Sequence, residues 1–91
     1  MGVVSTWDEA RNMALREAEK RLGFPIKKYW VDSIRLEPEE TGSHWVVKLD
    51  LQVRKSLVRK SLIHISMEID PSTGEVKSFQ AKEHQPAQRV N

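Results

Sequence analysis

The sequence predicts an α+β fold in which one N-terminal helix packs on a four-stranded antiparallel β-meander, in the order α-β-β-β-β. The period-two alternation of Leu62–Ile69 predicts a strand with one buried face, and Asp70–Gly74 predicts the turn of a hairpin. With 91 residues, 38% of them hydrophobic, the chain suits one domain with a single core. We place that domain at residues 1–80 and expect a flexible C-terminal tail at residues 81–91.

Helix signals come first in the chain. Thr6 followed three residues later by Glu9 is the pattern of a capping box, and Gly23 with Pro25 predicts the end of the helix at about Leu22. The residues that share one side at helical spacing are Trp7, Ala10, Ala14, Leu15, Ala18 and Leu22. The alanines predict that a sheet approaches this side closely.

Two charged residues interrupt the expected core. Arg11 lies within the apolar stripe of the helix, and Asp32 lies within the first predicted strand, Ile26–Leu36. The buried face of that strand is expected to carry Trp30, Ile34 and Leu36 together with Asp32. Because a buried charge needs a partner, we predict an ion pair between Arg11 and Asp32 across the helix–sheet interface. Alternatively, Arg11 extends its head to the edge of the sheet, or a β-bulge turns Asp32 outward.

The remaining strands complete the meander. A polar connection, Glu37–Ser43, leads to the alternating segment His44–Val53, and the last strand returns through Val76 and Phe79. The face of the sheet away from the helix is expected to carry Val46, Lys48, Asp50, Gln52, His64, Ser66 and Glu68. The tryptophans Trp7, Trp30 and Trp45 all fall in core phase, which favours packing over ligand contact.

Catalysis and cofactor binding are not indicated by any motif. The absence of cysteine excludes disulfides and thiolate metal sites, and His44, His64 and His84 have no ligand spacing, so we predict no metal and no cofactor. The sequence has neither a nucleophile elbow nor a glycine-rich phosphate loop, so we predict that the protein is not an enzyme. Without a long apolar run or a signal-peptide core, we expect no membrane insertion and a cytoplasmic location.

One basic cluster has a plausible partner. Arg54, Lys55, Arg59 and Lys60 place four cations within seven residues at one end of a hairpin. This basic tip could contact the phosphates of nucleic acid or an anionic lipid surface. Charged hairpin tips also serve solubility and protect edge strands, and no aromatic residue lies among these cations to stack on bases. Binding of nucleic acid is therefore the alternative function.

The order of elements resembles a PepSY-type domain over residues 6–80. The resemblance rests on a leading helix with Ala10, Ala14 and Ala18 and on a closing hairpin, Met67–Val76, with the Thr-Gly-Glu-Val turn of that family. It implies a non-catalytic domain that binds or inhibits other proteins, often peptidases, and that is usually exported or attached to a membrane.

A second resemblance is to gas-vesicle accessory protein O. It rests on the helix Ala10–Gly23, the tryptophan-led strand His44–Asp50, and the strand and turn Ile65–Gly74. Both resemblances imply a non-enzymatic interaction module. We therefore expect a small protein-interaction module that contacts another protein, or a second copy of itself, through the open sheet face or an edge strand.

Overall fold

The computed structural model describes residues 3–40, 42–54, 56–57 and 59–84, and it confirms the predicted α+β arrangement. The elements are α1 (Trp7–Leu22), β1 (Ile26–Glu39), β2 (Gly42–Arg54), β3 (Lys60–Ile69) and β4 (Val76–His84). The strands form one antiparallel sheet in the order β1-β2-β3-β4, so β1 and β4 are its edges.

The start of α1 is fixed by the predicted capping box. Thr6 Oγ1 accepts a hydrogen bond from the Glu9 N–H at 3.1 Å, and the Glu9 carboxylate accepts from the Thr6 N–H at 3.2 Å. The Ser5 N–H also donates to Glu9, at 2.8 Å. These bonds, that from the Ser5 amide above all, favour the charged carboxylate and hold the pKa of Glu9 below its usual value.

The end of α1 is fixed by Gly23. This residue has a φ of +79°, in the left-handed region, and its N–H donates to the Glu19 carbonyl at 2.9 Å. Between the two caps, the fully buried residues of the helix are Ala10, Ala14 and Ala18. The predicted close contact between the alanines and the sheet is therefore confirmed.

The core lies between α1 and one face of the sheet, here called the helix-side face; the opposite face is the open face. The largest fully buried side chains come from β2 and β3: Val47, Leu49, Leu51, Val53, Ile65, Met67 and Ile69. Burying one such side chain stabilises the fold by about 1.5–3 kcal/mol. Alternation along both strands thus positions the helix on one side and leaves mostly polar residues on the other, with Val46 and Leu62 as apolar exceptions.

The strands extend further than the sequence predicts. Glu37 and Pro38, expected in a connection, pair with His44 and Ser43 and lengthen the β1–β2 hairpin. Polar residues fit there because this end of the hairpin extends beyond β3, whose last pair with β2 is Trp45↔Ile69. At the other end of the chain, β4 continues to His84, so residues 81–84 belong to the sheet and not to the predicted tail. The rest of that tail, residues 85–91, lies outside the described residues.

A β-bulge interrupts β1. The pairing of β1 with β2 shifts register between Val31 and Ser33, which leaves Asp32 as an extra residue. Directly paired residues share a face, so Trp30, opposite Asp50, lies on the open face, where it is 48% exposed. The prediction that this tryptophan lies on the buried face is wrong, because the bulge reverses the alternation of the strand.

Candidate interaction site

Arg11 and Asp32 are not brought together. Arg11 Nη1 lies 3.4 Å from Asp8 Oδ1, and its guanidinium lies 5.5 Å from the centroid of the Trp7 ring. Asp32 is exposed at the bulge of β1. A partly exposed pair within α1 therefore replaces the predicted buried one, because Asp8 is within reach one turn away and the bulge turns Asp32 outward.

The basic tip lies at the end of the β2–β3 hairpin. Arg54 and Lys60 form the last cross-strand pair of that hairpin, and Arg59 is exposed beside them. Like charges directly opposite each other weaken strand pairing, so this pair does not serve the stability of the hairpin. Lys55, the fourth predicted cation, lies outside the described residues. Leu57 is 88% exposed in the same loop.

Two histidine–carboxylate pairs lie on the open face. His64 Nδ1 is 2.6 Å from Asp50 Oδ1 on the directly opposite residue, and His44 Nε2 is 4.0 Å from Glu68 Oε2. The alternation places these residues on one face, but only the register of β2 against β3 reveals the pairs. Within the described ranges, no group of three histidine or carboxylate side chains is arranged to hold a metal ion. Each pair joins β2 to β3 as a polar contact.

Exposed apolar side chains gather on β1. Tyr29 is 40% exposed, Trp30 48%, Val31 36% and Leu36 51%. These four residues are here called the β1 edge surface. Tyr29, Val31 and Leu36 lie on the helix-side face, opposite buried residues of β2, whereas Trp30 lies on the open face. The outer edge of β1 therefore has apolar groups on both faces of the sheet.

A groove continues the β1 edge surface towards the helix. It lies between α1 and the start of β1, has a volume of about 420 Å³, and is lined by Leu15, Ile26 and Tyr29 with charged residues around them. Both Leu15 and Ile26 are partly buried against the core. The apolar contact area on this side of the protein thus extends from the strand into the helix–sheet junction.

Comparison with known proteins finds no relative of this chain. No family model, characterised protein or solved structure matches it. The resemblances to PepSY-type domains and to gas-vesicle accessory protein O therefore stay predictions from short motifs. In the part of the chain that the structure describes, no helix is long and apolar enough to cross a membrane.

Proposed function

We propose that this protein is a non-enzymatic protein-interaction module that contacts its partner through the β1 edge surface. The observation that carries the proposal is the exposure of Tyr29, Trp30, Val31 and Leu36 on one edge strand. An edge strand offers unpaired N–H and C=O groups to an extended segment, and its alternating side chains provide specificity. A partner strand laid against β1 would find both the hydrogen bonds and the apolar contacts of a sheet interior.

The opposite edge of the sheet makes a useful comparison. On β4, the exposed residues that share the open face are Ser78, Gln80 and Lys82. Polar and charged side chains of this kind disfavour pairing with another chain. Aromatic residues, in contrast, are enriched where proteins bind each other, because they bring a large contact area with few rotatable bonds. Trp30 thus distinguishes the open face of β1 from that of β4, and this difference supports β1 as the contact edge.

Short-motif resemblance supports the same class of function. PepSY-type domains bind or inhibit other proteins without catalysing a reaction, and the resemblance covers both α1 and the β3–β4 hairpin. The β1 edge surface adds the residues through which such binding would occur in this chain.

Site-specific photo-crosslinking in the native host tests the proposal. A photoreactive amino acid at position 36, in β1, should form a defined adduct, and the same group at position 80, in β4, should not. Val31→Lys in the position-36 variant should lower the adduct yield, because it introduces a charge between the apolar residues of the edge. Equal adducts from both positions, or none from position 36, would contradict the proposal.

A second candidate function is electrostatic binding of nucleic acid or an anionic surface by the basic tip. Its supporting observation is the exposure of Arg54, Arg59 and Lys60 at one end of the sheet. In an amide NMR titration with a mixed-sequence duplex, shifts confined to the tip should appear at low salt and vanish at moderate salt. Arg59→Glu should abolish them, whereas Lys82→Glu, with the same change in net charge, should not. A spectrum unchanged at low salt excludes nucleic acid.

A further inference from the structure

We propose that the partner of the β1 edge surface is a second copy of this chain, with the two β1 strands paired antiparallel about a two-fold axis. This inference rests on the proposed function of that surface. The pairing joins two four-stranded sheets into one sheet of eight strands. Because the axis is perpendicular to the sheet, both α1 helices lie on the same side. The evidence is that β1 is complementary to itself in one register.

In that register, Val31 lies opposite Ile34 of the second copy, and Tyr29 lies opposite Leu36. Residues directly opposite each other must share a face, and the bulge at Asp32 makes this possible. Without the extra residue, positions 31 and 34 would lie on different faces of the sheet. With it, all four apolar residues lie on the helix-side face, and pairing covers Tyr29 and Leu36, which are 40% and 51% exposed.

The open face is complementary in the same register. Lys28 lies opposite Glu37 of the second copy, and Trp30 lies opposite Arg35. Within one chain, Arg35 Nη2 is already 2.7 Å from Glu37 Oε2. In the dimer, the Lys28 ammonium group of the second copy extends this ion pair. The Trp30 indole ring of the second copy lies within reach of the Arg35 guanidinium. The two-fold axis forms every one of these contacts twice.

Neighbouring registers are disfavoured. A shift of two residues in one direction places Lys28 opposite Arg35, which sets like charges against each other. A shift of two in the other direction places Tyr29 opposite Pro38, which has no N–H to donate. A shift of one residue places Val31 opposite Ser33, and these residues lie on different faces. The lysine, the bulge and the proline, which protect an edge from indiscriminate pairing, thus disfavour the registers next to the proposed one.

Exchange of the Lys28–Glu37 charges tests both the dimer and its register. Sedimentation equilibrium of the full chain should give a dimer. Lys28→Glu and Glu37→Lys should each weaken the dimer by about tenfold in Kd, because both symmetric pairs change from attraction to repulsion. An equimolar mixture of the two variants should recover the original affinity, since each chain then supplies the charge that the other lacks. The control, Lys82→Glu on β4, changes the net charge equally and should leave the dimer unchanged.

Each contrary outcome overturns a defined part of the proposal. A chain that stays monomeric at millimolar concentration excludes self-pairing. If neither charge variant changes the Kd of the dimer, or if the mixture of the two variants does not recover the original Kd, this register is excluded. A monomer that still forms an adduct with a different protein from position 36 removes the self-pairing alone and leaves the proposed interaction function in place.

Discussion

Trp45 is expected to anchor the segment that precedes α1, and Trp45→Phe tests this. The indole Nε1–H donates to the Val4 carbonyl at 2.8 Å, and the side chain is only 7% exposed. The Val4 N–H donates in turn to the Pro71 carbonyl, also at 2.8 Å. This segment therefore connects β2 to the β3–β4 turn. Phenylalanine keeps an aromatic ring but removes the donor.

The magnitude follows from the burial of the bond. Leaving the carbonyl of Val4, a residue only 3% exposed, without its donor costs about 1–3 kcal/mol. Loss of the second ring of the indole removes apolar contact worth roughly 1 kcal/mol. We therefore expect Trp45→Phe to lower the free energy of unfolding by about 2–4 kcal/mol. That is a large part of the 5–15 kcal/mol typical of a domain.

Trp30→Phe is the matched control. The same chemical change at a side chain that is 48% exposed should alter the free energy of unfolding by less than about 0.5 kcal/mol. Urea denaturation at low protein concentration, where β1 is unpaired, measures both values. Hydrogen exchange adds a local measurement, because the Val4 amide should lose protection in Trp45→Phe alone. Equal losses in the two variants, or unchanged exchange at Val4, would refute the anchoring role.

Three further predictions concern α1 and its caps. Gly23→Ala should lower the free energy of unfolding by about 1 kcal/mol in thermal denaturation, because its φ of +79° disfavours a side chain. Ala14→Leu should lower it by about 1–3 kcal/mol in urea, because a fully buried alanine leaves no room for a larger side chain. Glu9→Gln should lessen the loss of stability in acid. Because the folded-state pKa of Glu9 is lowered, its contribution is present above the usual carboxyl pKa of roughly 4.3 and is lost as pH falls through the folded-state pKa; urea midpoints at neutral and acid pH measure it.

Features that depend on neighbouring residues were predictable from the sequence. The capping box joins Thr6 and Glu9, which are three positions apart, and Gly23 ends the helix through its own backbone conformation. The turn at Asp70–Gly74 is equally local: the Gly74 N–H donates to the Asp70 carbonyl at 2.8 Å, and Gly74 has a φ of +76°. Each of these signals determines the conformation of the backbone around it and does not depend on the position of a distant strand. The order of elements and the antiparallel sheet follow from the same short-range patterns.

Features that depend on the register of two strands were not predictable. An aspartate in an apolar strand fits either a buried ion pair or a bulge, and only the pairing of β1 with β2 selects the bulge at Asp32. The Asp50–His64 contact likewise depends on the register of β2 against β3. Trp30 is four positions before the buried Ile34, so regular alternation would place both side chains on the same face. Only the extra residue at Asp32 explains why Trp30 is exposed on the other face.

The same irregularity determines the face on which each side chain of the proposed contact surface lies. Continuous alternation along β1 would put Trp30 on the same face as Ile34 and Leu36, and Tyr29 and Val31 would then lie on the opposite face. The extra residue at Asp32 instead brings Tyr29, Val31, Ile34 and Leu36 to the helix-side face and leaves Trp30 on the open face. In the proposed dimer, this arrangement matches the two halves of the strand to each other across the two-fold axis. A bulge interrupts the ladder of an edge strand, and edge strands carry such devices to control their pairing. In β1 the bulge is combined with four exposed apolar side chains. This combination favours a role in selecting one partner strand over a role in preventing all strand pairing.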